Sequence, residues 1–166
     1  MQSKQLLRMG LELSAGITLP LFEDVKDAPL TQPTAGGGNH PLWLLGHLTH
    51  GEGFLFWDCM RGEANPVAEW GECFSGGTTP VADAGKYPAY NEILAKFHEL
   101  RGQTLALLDS LNEGDLDRAS VNCPAERAGF FGTWRQCFLA ASLHMMNHRG
   151  QVAVCRRALG RMPLLA

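Results

Sequence analysis

Six histidines carry the most chemistry in this chain: His40, His47, His50, His98, His144 and His148. His144 and His148 are four residues apart. On a helix that spacing puts both imidazoles on one face, one turn apart, where they can share a metal ion. Their neighbours Phe138, Leu143, Met145, Met146, Val152 and Val154 are apolar, so the pair is expected to point inward. Two adjacent buried imidazoles need partners, and burial forces at least one to be neutral. A metal ion, a carboxylate or a backbone carbonyl would each satisfy them. His47 offers a third nitrogen, with His50 as its rival one turn further along nearly the same face. A divalent ion on three neutral nitrogens keeps an open position, which is the layout of a catalytic rather than a structural site. Such an ion lowers the pKa of a water or thiol that it binds.

Other chemistries lack their residues. Met145 follows His144, so the H-E-x-x-H protease helix is absent, and no Glu-x-x-His exists to build a ferritin-like di-iron centre. Neither a G-x-S-x-G elbow nor a G-x-x-x-x-G-K-[ST] phosphate loop occurs. Cys59, Cys73, Cys123, Cys137 and Cys155 are odd in number and form no C-x-x-C pair, which suits a reducing compartment better than a disulfide framework. Cys137 and Cys155 each lie seven residues from a histidine of the pair. That is roughly 10 Å along a helix, too far to ligate the same ion, so they are expected to be small core residues.

Helices must position these side chains. The second of four apolar-periodic stretches opens at Asn39, read as the N-cap, with Pro41 in the first turn, and runs to about Arg61. Around His47, one of its faces collects His40, Trp43, Leu44, His50, Gly51, Phe54 and Asp58. The fourth stretch starts on Thr133-Trp134-Arg135-Gln136, a capping-box pattern, and continues to Leu159, with Gly160 as the C′ residue. The third, about Pro88 to Leu111, repeats Tyr90, Phe97, Thr104 and Leu111 every seven residues, with Ile93, Leu100 and Leu107 at the offset positions. The first, roughly Ser3 to Ala15, is weakened by Gly10 and Gly16. No stretch reads as a strand. The expectation is an all-α four-helix bundle, a single domain over residues 1–166, whose long connections shape a site or an interface.

Composition bounds the rest. The 166 residues are 45% hydrophobic and 19% charged, enough to bury a core without disulfides. A net charge of −3 argues against a nucleic-acid partner. Arg149, Arg156, Arg157 and Arg161 cluster near the C-terminus and are read as a solvated helix end. No segment approaches the ~20 apolar residues of a membrane span, and no signal peptide is evident, so a soluble cytoplasmic protein is expected.

The segment Asn39-His-Pro-Leu-Trp-Leu-Leu-Gly-His47-Leu, followed about a hundred residues later by His144-Met-Met-Asn-His148-Arg-Gly-Gln151, resembles the DinB/YfiT-like metalloprotein superfamily. The likeness runs from the second helix to the end of the fourth and rests on a Gly-His-Leu around the first histidine and a His-Arg-Gly-Gln ending. It implies a four-helix bundle with unusually long connections, commonly a homodimer, and a divalent ion (zinc, nickel or similar). By the resemblance the metal ligands are His47, His144 and His148, with His47 chosen over His50. Characterised members of the superfamily use low-molecular-weight thiols in S-transfer or isomerisation, so a small-molecule substrate and a thiol co-substrate are implied.

Trp43, His50, Phe54 and Gln151 are the candidates for contacting a substrate. Trp43 and Phe54 lie one or two turns from His47 and either wall a pocket or belong to the core. His50 is a proton shuttle or a satisfied core histidine. Gln151, one turn beyond His148, either orients a ligand or bonds across helices. The expected activity is metal-dependent thiol transfer, with a metal-dependent hydrolase or a non-catalytic dimeric interaction protein as the other readings.

Overall fold

The computed structural model describes residues 2–34 and 36–164 and is all-α. Four long helices carry the structure: α1 (Ser3–Val25), α2 (Pro41–Gly53), α4 (Tyr90–Ser110) and α6 (Trp134–Ala158). Two single-turn helices, α3 (Gly71–Phe74) and α5 (Ala128–Phe131), sit in the connections. Among the described residues no helix is long and apolar enough to cross a membrane.

Two apolar clusters define the helix directions. One gathers Leu21 and Phe22, Leu42 to Leu48, Ile93 to Leu100, and Met145, Val152 and Cys155. The other gathers Leu7 and Leu11, Leu55 to Met60, Leu108 and Leu111, and Cys137 to Ala141. The N-terminal halves of α2 and α4 therefore lie together at one end, beside the C-terminal halves of α1 and α6. So α1 and α6 run parallel to each other and antiparallel to α2 and α4. A constant register confirms the first pairing: Arg149 Nε donates to the Ile17 carbonyl and Arg156 Nη2 pairs with Asp24, each across 132 residues. Because α2 and α4 are parallel, the chain must travel back along the molecule between them. That explains the long Gly62–Lys86 connection in physical terms.

Several expectations shift. α1 does not stop at Ala15 but continues to Val25 through Pro20. Proline removes one backbone donor and crowds the carbonyl four residues back, yet Leu21, Phe22 and Val25 beyond it are buried, so packing outweighs the break. The N-cap of α2 is His40, not Asn39: its Nδ1 accepts from the Trp43 N–H at 3.0 Å. In α4 the seam drifts from Leu107 to Leu108 in the last turns, as a 3.6-residue period must against a strict heptad. Arg156 is buried rather than solvated, held by Asp24 and by the Met162 carbonyl. The capping box of α6 forms as expected, and Gly160 takes a positive φ of 74°.

Candidate metal centre

His47 enters from the middle of α2; His144 and His148 enter from α6. Their Nε2 atoms converge. His144 Nε2 lies 3.0 Å from His47 Nε2 and 3.0 Å from His148 Nε2, and all three nitrogens lie within 4.8 Å of one another. The rings meet nearly edge to face, at 78° to 81°. Burial and mutual proximity drive all three toward the neutral form: His144 is lowered to about 3, His148 to about 4, and His47 is lowered by burial.

The surroundings of His47 fix its tautomer. Its Nδ1–H donates to the Phe74 carbonyl at 2.7 Å, so Nε2 presents a lone pair to the centre. Trp43 stacks on the back of the ring, 4.6 Å away and 9° from parallel. Its indole N–H donates to the Cys73 carbonyl and the Thr78 hydroxyl, tying α2 to the α3 segment. Gly46 makes this contact possible. A Cβ there would fall 2.2 Å from the Phe74 ring, so only glycine lets α3 approach closely enough for its carbonyl to reach His47. At Gly51 the fit to His144 is close but looser: an added Cβ would sit 3.0 Å from its Cε1.

The donor set fits a metal ion. A neutral imidazole nitrogen offers either a proton or a lone pair, never both. His144 Nε2 has two close nitrogen neighbours, and at least His47 faces it with a lone pair. A central cation satisfies three inward lone pairs together. Tetrahedral zinc with bonds of ~2.05 Å separates its nitrogens by about 3.3 Å, close to the 3.0 Å of the His47–His144 and His144–His148 pairs, while all three nitrogens lie within 4.8 Å of one another.

A cavity of about 450 Å³ opens beside the histidines. His47, His144 and His50 line it on one side. Phe54, Leu55, Phe131 and Ala140 supply apolar walls, Ser75 and Gly76 come from the loop after α3, and Pro124, Glu126 and Arg127 come from the α4–α6 connection. Beyond Gly53, α2 continues as a π-helical turn, Phe54–Cys59, and this wider turn carries Phe54 and Leu55 at the wall. His50 is in the cavity but outside the three-nitrogen cluster. Burial and the nearby His47 lower its pKa, so it is neutral at pH 7.

The candidate contacts thus separate. His50 and Phe54 line the cavity. Trp43 sits behind His47, and Gln151 accepts from Asn39 Nδ2 at 3.0 Å, so neither is among the lining residues. The Phe74 carbonyl escaped sequence reading, because a backbone acceptor leaves no side-chain signature. So did Arg127, which lies in a connection without periodicity. Cys137 and Cys155 are buried, and neither belongs to the three-histidine group.

A family model described as DinB superfamily matches residues 11–152, a span that includes all three histidines. No curated protein and no solved structure matches the chain.

Proposed function

The chain belongs to the DinB superfamily, and from that premise we propose that it is a metal-dependent enzyme in which His47, His144 and His148 hold one divalent ion, zinc, nickel or similar. The observation that carries this reading is the meeting of three Nε2 atoms, from two helices not consecutive in sequence, at the edge of a cavity. The domain is read as a four-helix bundle in which α1, α2, α4 and α6 are the helices and the long connections build the site.

The reaction proposed is S-transfer from a low-molecular-weight thiol to an electrophilic small molecule. A divalent ion held there lowers the pKa of a bound thiol toward the physiological range. His50, neutral and facing the cavity, accepts the thiol proton. The sulfur then forms a bond to the electrophilic carbon, and the leaving group departs with its electron pair. Phe54, Leu55 and Phe131 pack the apolar body of the substrate and exclude water, which favours thiol attack over hydrolysis.

We further propose a cytoplasmic homodimer. Five cysteines, all free, suit a reducing compartment. The outward face of α1 and α6 carries Leu6, Leu13, Leu139, Leu143 and Met146 around a groove floored by Gly10 and Ser142, with Leu13 and Leu143 58% and 59% exposed. A continuous apolar face of this kind supports self-association.

The test is metal content after purification without an affinity tag, followed by turnover of monochlorobimane across a panel of thiols. One equivalent of metal, lost in His144→Ala, and thiol-dependent turnover are expected. Metal content unchanged by His144→Ala would overturn the ligand assignment. Stoichiometric metal with no turnover on any thiol would overturn the S-transfer reading alone.

A further inference from the structure

His47 and His148 differ in how their outer nitrogens are served. His47 has the Phe74 carbonyl. His148 is only 6% exposed, and its Nδ1 is buried with no hydrogen-bond partner among the described residues. A buried imidazole N–H left without an acceptor is costly. The polar side chain beside it is Gln151, near enough for its amide to favour a proton on the His148 ring. It lies three residues on, and side chains on a helix lean toward the N-terminus, so the amide lies over the turn that carries His148. Gln151 is itself anchored. Its Oε1 accepts from Asn39 Nδ2 at 3.0 Å, across 112 residues, at the entrance to α2. A carbonyl oxygen has two lone pairs, and this bond occupies one. The second is free for His148.

We propose that Gln151, held in place by Asn39, is the acceptor for the Nδ1–H of His148 and thereby fixes which nitrogen of that imidazole faces the three-histidine centre. The inference rests on the metal-site reading above. Without an acceptor, the neutral ring can place its proton on either nitrogen, and the Nε2–H tautomer points a proton where a lone pair is needed. With Gln151 in place, His148 and His47 are oriented by the same device: an outer N–H held by an oxygen so that the inner nitrogen is a donor to the ion. Asn39 joins this arrangement to the first residues of α2, so the positions of His47 and His148 are coupled through one amide pair. Gln151 is a positioning residue here, since it acts through His148.

The experiment measures Zn²⁺ affinity of the full-length chain by competition with a chromophoric chelator. Wild type is expected to bind one equivalent. Gln151→Leu removes the acceptor at similar volume and is expected to weaken binding 10- to 100-fold. Gln151→Glu keeps an oxygen there and should restore affinity to within a few-fold of wild type or better. Asn39→Ala leaves the acceptor but frees it, and should give a smaller loss. In the metal-free protein, ¹⁵N shifts of His148 should report the Nδ1–H tautomer in wild type and a mixture in Gln151→Leu, a change that a purely packing role would not produce. If Gln151→Leu fails to fold, Gln151→Glu and Asn39→Ala carry the same comparison. Zinc affinity of Gln151→Leu within twofold of wild type, or an unchanged tautomer, would overturn the proposal. Absence of zinc binding in the wild type would instead bring down the metal-site reading on which it stands.

Discussion

His144 sits between the other two imidazoles, with its Nε2 3.0 Å from each neighbour, and burial together with His148 and His47 pushes its pKa down to about 3. All three histidines are held neutral in the folded chain, while in the unfolded chain they take up a proton near pH 6.5. The unfolded state therefore binds more protons below that value, and stability falls as pH falls from about 6.5 toward 4. The melting temperature of the metal-free protein should drop between pH 7 and pH 5, and His144→Asn should flatten that drop. An equally steep profile in His144→Asn would show that the loss arises elsewhere. Gly46 offers a second check at this scale. Alanine there meets the Phe74 ring, so Gly46→Ala should destabilise the fold by about 1–3 kcal/mol in urea unfolding and weaken metal binding, through displacement of the carbonyl that holds His47. Zinc affinity unaffected in that variant would separate Phe74 from the site.

Among elements, α2 depends on a contact that the apolar pattern conceals. Glu52 and Arg101 form a two-pronged pair at 2.8 and 2.9 Å, both buried, and Arg101 also donates to the Leu11 carbonyl. Three helices are joined at this one charge pair. Removing one partner leaves an uncompensated buried charge, so Glu52→Ala or Arg101→Ala should cost about 3–5 kcal/mol by denaturant titration, whereas replacing both with apolar residues should recover much of it. A loss below about 1 kcal/mol in either single variant would mean that water reaches the pair. The elements themselves were largely legible. The capping box at Thr133, Pro41 in the first turn of α2 and the spacing of Ile93, Phe97 and Leu100 were local signals, and helices formed where they predicted. The far half of α1 was not legible, since Pro20 reads as a stop and only the burial of Phe22 and Val25 carries the helix past it. The burial of Arg101 was not legible either, since standing next to Leu100 in sequence does not say that its charge meets Glu52 on α2.

At the scale of the molecule, the parallel pairing of α1 with α6 leaves one outward face apolar, while Ala140 and His144 of α6 line the cavity. Arg8, with Glu12 and Asp109, and Arg135, with Glu113 and Asp117, already have partners at one end of that face, so a second copy could cover it without bringing compensating charge. Light scattering should give a dimer mass for the wild type. Leu13→Glu with Leu143→Glu should shift it to monomer while metal content stays at one equivalent. A wild-type monomer at micromolar concentration would remove the homodimer from the account.

What this chain determined through its sequence is local. The four-residue step from His144 to His148 places both on one helix face whatever packs against it, because the helical period alone requires it. Helix starts and the apolar faces followed in the same way from caps and periodicity. Beyond the grouping of His47 with His144 and His148 that the family resemblance implied, only the tertiary structure decided the relations across elements: how closely the nitrogen from α2 approaches those from α6, that Phe74 supplies the outer acceptor for His47, and that Glu52 finds Arg101. Such contacts join residues separated by 27 to 97 positions. Their geometry is set by how whole helices pack, and no short window of residues encodes that.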